Sequence, residues 1–372
     1  MTMPILAPIE YQTNPMSPMD RNIMVTSGEG GVKTWLNCGE SISLAAGRDY
    51  LGMPVEQCPV LMIDEETPTA DLEDRLNRLA IGLGFPDYKV LPITIASKQG
   101  FHFSQRNLTA IKDVEAQIKQ TVSKLPNTRS IAIRIDSVIA CLGAGLQRMD
   151  ENNSMLGRVI HHTCDHLRKF CANELGIKAT ITILAHGKKN YPLYDLDDLR
   201  KSDMQLLVRG HGSIVGEGCD IGYAIKKITE KPLRGLIIPR VRRTRSPIEE
   251  IYFELEEEQY MSGWAKFQKI APVPIPPSPL EVDYFSMFYP SGNEYSEPKL
   301  SQMASLHAPE ERRIALDHLK KHRIIISESG EPFTYRLNPD FYDASKQKQD
   351  DRDYALQLSA TYFAGGGQIK SK

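Results

Sequence analysis

Apolar and polar residues alternate with two different periods between residue 22 and about residue 255. Short apolar runs rich in β-branched residues predict strands at residues 22–26, 60–64, 89–95, 130–136 and 179–185. Between these runs, apolar residues recur at intervals of three and four, which predicts helices at residues 34–46, 70–83, 107–123 and 154–175. Strands and helices that alternate in this way are typical of an α/β fold with a parallel sheet.

Three further apolar runs, at residues 218–226, 235–239 and 250–255, predict an antiparallel extension of the same sheet. Five prolines within residues 271–279 then predict a stiff, extended linker, because proline fixes the backbone angle φ and cannot donate a hydrogen bond. The sequence therefore predicts a first domain at residues 1–270, followed by a linker at residues 271–279.

Beyond the linker, the pattern predicts a small second domain at residues 280–340. An aromatic helix, a helix near residues 299–305 and an amphipathic helix at residues 309–322 precede two short strands, at residues 324–327 and 333–337. Three helices followed by a hairpin are the order of a winged helix-turn-helix, so we expect a winged-helix-like domain. The polar residues at 341–372 predict a flexible tail.

Composition and charge limit the classes of function. A net charge of -2 excludes a general electrostatic attraction to nucleic acid or membranes, so any contact with DNA must come from local basic patches. The six cysteines include no CxxC pair, and most lie in apolar runs, which predicts buried, reduced thiols. The sequence has no signal-peptide pattern and no apolar run long enough to span a membrane, so we expect a cytoplasmic protein without a membrane partner.

A glycine-rich segment follows the first predicted strand and precedes the first predicted helix, which is the geometry that directs backbone N–H groups at an anion. The usual phosphate-binding loop reads glycine, four residues, then glycine, lysine and serine or threonine. Here Lys33 and Thr34 fit that pattern, whereas Ser27 and Val32 stand where it has glycine. A valine side chain would crowd the turn, so we expect nucleotide binding and leave turnover open. The alternative is a glycine-rich loop that binds nothing.

Polar side chains stand at the ends of three further predicted strands, where ligands of open α/β sheets bind. Glu66 can orient and deprotonate an attacking water. Asp136, together with the hydroxyl of Thr34, can hold Mg²⁺. His186 can contact the γ-phosphate of a nucleotide. The alternative for each position is a solvated polar residue at an ordinary strand end.

The predicted nucleotide contacts are Gly28, Gly30, Gly31, Lys33, Thr34, Trp35 and Asp136. Two other kinds of site are disfavoured. His162 and His166 lie one helical turn apart without a second ligand pair, so they do not favour a zinc site. A small-molecule kinase is disfavoured because the sequence contains no lid segment.

The order of these motifs resembles that of RecA-type P-loop ATPases, and most closely that of the RepA-like hexameric replicative helicases of plasmids and mobile elements. The resemblance covers roughly residues 20–255 and rests on the segments SGEGGVKTWL, PVLMIDEETPTADLEDRL, ITILAHGKK and VRGHGSIVGEGCDIGYAIKK. It implies that ATP and Mg²⁺ are the ligands and that Lys33 and Thr34 hold them. It also implies that Glu66 is the catalytic carboxylate, Asp136 the magnesium-binding aspartate and His186 the γ-phosphate sensor.

The same resemblance implies a ring-shaped oligomer, with a hexamer as the expected ring. Its sites are completed by a basic finger from the neighbouring subunit, for which Lys226 or Lys227 is the candidate and Arg209 a weaker one. A lysine in place of the family's arginine loses the planar fork that stabilises transition-state charge, which weakens the expectation of fast hydrolysis.

Basic residues after His186 are the candidates for DNA contact, because phosphates attract clustered cations. They are Lys188, Lys189, Arg200, Lys201 and Arg209. Aspartates interrupt the cluster, so a solvated charged loop is the alternative. The leading hypothesis is an ATP-binding RecA-like ATPase that acts on single-stranded DNA, as a ring-forming replicative helicase or replication protein of a plasmid, phage or integrated element. The alternative is a catalytically weak or silent nucleotide-sensing DNA-binding regulator with a winged-helix tail.

Overall fold

Two units, Met1–Pro272 and Val273–Lys372, make up the chain. The structure is a computed structural model and describes residues 9–28, 32–103, 108–141, 154–187, 199–200, 207–208, 219–241, 248–258, 263–273, 277–289, 294–304, 309–328, 334–338 and 349–364. The division between the units falls within the proline-rich segment at residues 271–279. Among the described helices, none is long and apolar enough to cross a membrane.

A small hairpin and a nine-stranded sheet form the first unit, together with helices on the sheet. The hairpin consists of β1 (Tyr11–Thr13) and β2 (Ser17–Pro18). The strands of the large sheet are β3 (Asn22–Ser27), β4 (Val60–Asp64), β5 (Ile93–Ser97), β6 (Ser130–Asp136), β7 (Lys178–His186), β8 (Ile221–Glu230), β9 (Leu233–Val241), β10 (Ile251–Glu257) and β11 (Ala265–Lys269). The helices described here are α1 (Val32–Ala46), α2 (Thr69–Gly82), α3 (Leu108–Ser123) and α4 (Ser154–Leu175).

The large sheet has the strand order β11-β10-β9-β8-β3-β7-β6-β4-β5. The strands from β8 to β5 in that order run parallel, and β9, β10 and β11 continue the sheet antiparallel. The predicted α/β fold with a mostly parallel central sheet and an antiparallel extension is therefore confirmed. β4 and β6 are buried along their whole length, which is why they form almost continuous apolar runs in the sequence.

One strand begins later than the sequence pattern predicts. Residues 89–95 were expected to form a strand, but Tyr88–Val90 form a short 3₁₀ helix and β5 begins at Ile93. Asp87 causes this difference, because its side chain accepts hydrogen bonds from the backbone N–H groups of Lys89 (2.7 Å) and Val90 (3.2 Å). Such local side-chain bonds compete with strand pairing.

All six cysteines are buried and none forms a disulfide bond, which confirms the prediction for the thiols. Burial raises the pKa of Cys58 and of Cys164 to about 12, so both thiols stay protonated at neutral pH. His166 Nε2 lies 2.7 Å from Glu115 Oε1 of α3, and the described residues contain no group of three or more side chains arranged to hold a metal ion.

The second unit packs its helices and a three-stranded sheet around one apolar cluster. Its elements are α5 (Pro279–Phe288), β12 (Tyr295–Ser296), α6 (Glu297–Met303), α7 (Pro309–Lys321), β13 (Ile325–Glu328), β14 (Thr334–Leu337) and α8 (Gln349–Ala364). Ser278 caps α5, since its hydroxyl accepts from the N–H of Glu281 at 3.3 Å while the Glu281 carboxylate accepts from the N–H of Ser278. Three helices and the antiparallel hairpin β13–β14 occur in the predicted order, and the winged-helix assignment stays a prediction.

The tail that was predicted to be flexible contains a packed helix. Tyr354, Ala355 and Leu358 of α8 lie in the apolar cluster of the second unit. Tyr362 of the same helix contacts the ring of Phe285, with ring centroids 5.9 Å apart. These positions are spaced by three and four residues, so they form a narrow apolar stripe along one side of α8. The many polar residues around that stripe explain why the sequence pattern missed it.

We expect Leu358→Ala to destabilise the second unit by about 2–5 kcal/mol, because the Leu358 side chain is fully buried and its removal leaves a cavity. The matched control is Leu356→Ala on the same helix, whose side chain is 68% exposed. That control should change the free energy of unfolding by less than about 0.5 kcal/mol. Thermal unfolding of the full chain and hydrogen exchange of residues 349–364 measure both effects. Equal effects of the two substitutions would contradict the described packing of α8.

Candidate nucleotide-binding site

The start of α1 meets the end of β6 in a buried hydrogen bond. Thr34 Oγ1 donates to Asp136 Oδ2 at 2.8 Å, and both side chains are buried. β7 lies between β6 and β3, the strand that leads toward α1, so this bond joins parts of the fold that are two strand positions apart. The structure thus brings together the two residues that the sequence nominated for Mg²⁺.

Val32 is a buried helical residue without backbone strain. It is the first residue of α1, it has no positive φ, and its side chain packs in the apolar cluster of the first unit. The helix has therefore already begun at the position where the usual loop has glycine, and the turn that the valine was expected to crowd lies outside the described residues. Before the helix, Ser27 Oγ donates to the carbonyl of Gly28 at 2.9 Å. Gly30 and Gly31 lie outside the described residues.

The three consecutive acids at the end of β4 have three different sets of partners. Asp64 Oδ1 accepts from the N–H groups of Glu66 (2.9 Å) and Thr67 (2.7 Å), which shapes the turn after the strand. The Glu65 carboxylate accepts three hydrogen bonds of 3.0–3.1 Å from the backbone N–H groups of residues 99, 100 and 101. Only Glu66 of the three pairs with His186, at 3.0 Å between Oε2 and Nε2. Glu66 is therefore the acid of the three that contacts His186, and its role as the catalytic carboxylate stays a prediction.

The contact with His186 makes Glu66 a weaker base. A hydrogen bond from His186 lowers the pKa of Glu66 to about 2, and the charge of Lys33 acts in the same direction. The carboxylate is therefore ionised at neutral pH, but a group with so low a pKa is a weak base. In this arrangement Glu66 can orient a water, and it becomes a better base when His186 moves away.

Two buried carboxylates lie next to each other at the ends of adjacent strands. Asp64 of β4 and Asp136 of β6 are partners in the parallel register, and Asp64 Oδ2 is buried without a hydrogen-bond partner. Burial, and then the charge of Asp64, raise the pKa of Asp136 to about 7. Burial also raises the pKa of Asp64. The sequence patterns predicted no role for Asp64. Its position at the end of the strand next to β6 is the signal that could have predicted its proximity to Asp136.

These residues fit Mg²⁺ and the phosphates of a nucleotide. Mg²⁺ prefers oxygen ligands and is usually bound by one or two carboxylates together with substrate phosphates and water. Asp136 and Thr34 offer such oxygens, and a divalent cation would offset the two causes that raise the pKa of Asp136, burial of its charge and the neighbouring charge of Asp64. Lys33 is 5% exposed, and its positive charge lowers the pKa of both Glu66 and Asp136.

Two further predicted site residues, Trp35 of α1 and Lys226 of β8, lie among the described residues. The ring of Trp35 lies 5.7 Å from the Arg75 guanidinium and 5.6 Å from that of Arg78, both on α2. This contact gives Trp35 a packing role between α1 and α2, and its contact with nucleotide stays a prediction. Lys226 follows Ile225, the residue of β8 that pairs with Ser27 at the end of β3. Lys226 therefore lies near the end of β3, where the glycine-rich loop begins. Its role as the basic finger toward a neighbouring subunit stays a prediction.

The predicted DNA contact Arg200 forms an ion pair in the structure. Its guanidinium makes two hydrogen bonds to the Glu250 carboxylate, Nε to Oε1 at 2.7 Å and Nη2 to Oε2 at 2.6 Å. This bidentate geometry occupies one edge of the guanidinium. The contact of Arg200 with DNA stays a prediction. Lys188, Lys189, Lys201 and Arg209 lie outside the described residues.

The comparisons with known proteins agree with the phosphate-loop interpretation. The family model for the AAA domain, AAA_25, matches residues 5–191. This match confirms the predicted class, a RecA-like P-loop ATPase, and leaves the RepA-like branch a prediction. No curated protein matches the sequence.

Two solved structures are similar to the chain at low identity. One is a solved ATPase domain, which is 14% identical with a TM-score of 0.43, and the alignment covers 63% of this chain and 81% of that one. A KaiC-like protein, PH0186 from the hyperthermophilic archaeon Pyrococcus horikoshii OT3, is 16% identical with a TM-score of 0.39. That alignment covers 71% of this chain and 100% of that one.

We expect Asp136→Asn to stabilise the ligand-free protein at pH 8 more than at pH 5. Folding raises the pKa of Asp136 from 3.8 to about 7, so the stability that comes from its neutral form is present below pH 4 and is lost as the pH rises through 7. Asparagine removes the buried charge, and the gain at pH 8 is at most about 4 kcal/mol. Thermal unfolding from pH 5 to pH 8 measures it.

Glu66→Gln is the matched control for this pH dependence and should act in the opposite direction. Folding lowers the pKa of Glu66 from 4.5 to about 2, so its carboxylate contributes stability above pH 4.5 that is lost only as the pH falls toward 2. The Gln variant should therefore be less stable than the wild type at pH 8. A gain from Asp136→Asn that does not grow with pH would contradict the charge balance described for this site.

Proposed function

Because the chain belongs to the AAA domain family AAA_25, we propose that it binds ATP with Mg²⁺ at the start of α1 and hydrolyses it. One observation carries this proposal. Residues from four separate parts of the chain meet at one edge of the sheet in two hydrogen-bonded pairs, Thr34 with Asp136 and Glu66 with His186. A set of ordinary solvated strand ends would not explain why buried acids with raised pKa values stand beside a buried lysine.

Each of these side chains has a distinct task in the proposed reaction. Lys33 and the N–H groups at the start of α1 hold the phosphates, because the positive end of a helix dipole attracts anions. Thr34 and Asp136 would hold the magnesium ion, which would neutralise phosphate charge. Glu66 orients the attacking water.

His186 links phosphate binding to the basicity of Glu66. In the ligand-free chain its Nε2–H group is directed at the Glu66 carboxylate and keeps the pKa of that group low. A terminal phosphate that accepts the same N–H group draws the imidazole away from Glu66. The pKa of Glu66 then rises toward its ordinary value, and the carboxylate becomes a better base when the phosphate to be attacked is in place.

We further propose that the chain forms a ring and acts on single-stranded DNA, as a replicative helicase or replication protein of a plasmid, phage or integrated element. The motif order over residues 20–255 supports this assignment. The position of Lys226 at the same sheet edge as the loop supports a finger that reaches the neighbouring subunit's nucleotide. The basic residues 188, 189, 201 and 209 remain the proposed DNA contacts.

A second candidate function is a nucleotide-sensing DNA-binding regulator that turns over ATP slowly or not at all. The low pKa of Glu66 favours this alternative, because a carboxylate with a low pKa is a weak base. Three helices followed by a hairpin in the second unit support a winged-helix tail that would bind DNA.

We expect the wild-type chain to hydrolyse ATP and single-stranded DNA to stimulate the reaction. Glu66→Gln should lower kcat by about 10²–10⁴ with little change in ATP affinity, because it removes the base but not the phosphate contacts. Lys33→Ala should weaken ATP binding itself. The matched control is Glu65→Gln, since the neighbouring carboxylate only accepts backbone N–H groups and glutamine keeps an acceptor oxygen. Phosphate release and calorimetric titration with ATP measure the two quantities.

The outcomes separate the two candidates. Wild-type protein that binds ATP tightly without turnover would favour the regulator over the ATPase. Wild-type protein that binds no ATP, or a Lys33→Ala variant that binds it as well as the wild type does, would contradict the nucleotide site.

A further inference from the structure

A buried ion pair lies beneath α1, two helical turns from the phosphate lysine. Arg134 Nη1 and Glu40 Oε2 are 3.0 Å apart, and their side chains are 1% and 6% exposed. Glu40 is seven residues after Lys33 on α1, so both lie on the same side of the helix. Arg134 is two residues before Asp136 on β6, so both project from the same face of the sheet.

The two charged side chains make further hydrogen bonds to the hairpin β1–β2 and to β7. Glu40 Oε1 accepts hydrogen bonds from Thr13 Oγ1 at 2.8 Å and Ser17 Oγ at 2.6 Å, both in the hairpin β1–β2. Arg134 Nη1 also donates to the hydroxyl of Thr182 on β7. One carboxylate and one guanidinium therefore join α1, β6 and β7, which carry Thr34, Asp136 and His186.

Stability alone does not explain this arrangement. Desolvating two charges costs several kcal/mol per ion, and replacing a buried ion pair by apolar residues of similar size is often neutral or stabilising. The cost is higher here, because Arg134 Nε and Nη2 are buried without hydrogen-bond partners. What an ion pair supplies, and an apolar contact does not, is one fixed register between the helix and the strand.

We propose that Glu40 and Arg134 are positioning residues that hold α1 against β6 so that Thr34 and Asp136 can bind magnesium together, and thereby set the Mg²⁺-dependent affinity for nucleotide. This inference rests on the proposed function of the site. Groups that orient metal ligands without touching the metal typically contribute about 10- to 100-fold to metal affinity. The pair should therefore act on binding with Mg²⁺ and leave the weaker binding of Mg²⁺-free nucleotide nearly unchanged.

A small cavity beside the pair shows how α1 would relax without it. The cavity has a volume of about 20 Å³ and is lined by Lys33, Asn37 and Glu40 of α1 and by Thr182 of β7, among others. That volume accommodates about one water molecule. Loss of the ion pair therefore leaves space between α1 and β7 into which neighbouring side chains can shift, so that the fixed alignment of α1 with β6 is lost.

The test is the double variant Glu40→Gln/Arg134→Met, which removes both charges together and so leaves no unpaired ion in the interior. The dissociation constant for ATP is measured by calorimetry with Mg²⁺ and with a chelator, and thermal unfolding is followed in parallel. We expect the ratio of these two dissociation constants, which measures how much Mg²⁺ tightens ATP binding, to be about 10- to 100-fold smaller in the double variant than in the wild type. The dissociation constant measured with the chelator should change little, and the protein should stay folded.

The matched control is Glu254→Gln/Arg234→Met, which removes an ion pair between register partners of β9 and β10. It should leave the effect of Mg²⁺ unchanged. If the Glu40/Arg134 double variant does not fold, Arg134→Lys decides the question. Lysine keeps the charge but lacks the fork that contacts Glu40 and Thr182 at once, so it should also reduce the effect of Mg²⁺.

An unchanged effect of Mg²⁺ in a folded Glu40/Arg134 variant would overturn this inference and leave the pair a purely structural feature. An equal loss in the β9–β10 control would overturn it too, because the effect would not be specific to α1. Failure of the proposed function is distinguishable from both, since in that case the wild-type chain itself binds no ATP.

Discussion

Helix α1 carries two charged side chains, Lys33 and Glu40, into the interior of the first unit, and their partners determine where the helix can lie. Burying an ion is unfavourable unless opposite charges and hydrogen bonds compensate. Glu40 pairs with Arg134 of β6, while Lys33 lies close enough to Asp136 of the same strand to lower its pKa. One strand therefore supplies the opposite charge for both side chains, and the start of α1 is fixed against the end of β6.

Acidic side chains outnumber basic ones at this site. Asp64 and Asp136 are neighbours at the ends of β4 and β6, and both have raised pKa values. Glu66 is two residues after Asp64 in the sequence. Lys33 offsets part of this charge, and His186 donates a hydrogen bond to the Glu66 carboxylate. A divalent cation would relieve the repulsion between the carboxylates, and an incoming phosphate would compete for His186. Ligand binding is thus coupled to the basicity of Glu66 through side chains that already contact one another.

Much of this architecture could be predicted from local sequence. β4, β6 and α4 have the predicted bounds, because two buried strands form nearly continuous apolar runs and the helix has a long, regular apolar period. What failed depends on single side chains or on packing against distant parts of the chain. Asp87 caps a turn where a strand was expected. Polar residues around the apolar stripe of α8 hid it from the sequence pattern, although Tyr362 of that stripe contacts Phe285, far along the chain.

The site shows the same division between local and distant information. Thr34, Glu66, Asp136 and His186 were nominated because each stands at a strand end or helix start, and the parallel sheet then brings them to one edge. Arg134 carried a signal that was not used, since an arginine inside an apolar strand needs a buried acid. Which acid that is depends on how α1 packs, and the sequence alone does not contain that register.

A structure of the full chain with Mg²⁺ and a non-hydrolysable ATP analogue tests the central claim most directly. We expect the terminal phosphates at Lys33 and the first N–H groups of α1, with the cation about 2.1 Å from Thr34 Oγ1 and the Asp136 carboxylate beside it. Nucleotide bound at another place on the chain, or none at saturating concentration, would contradict it.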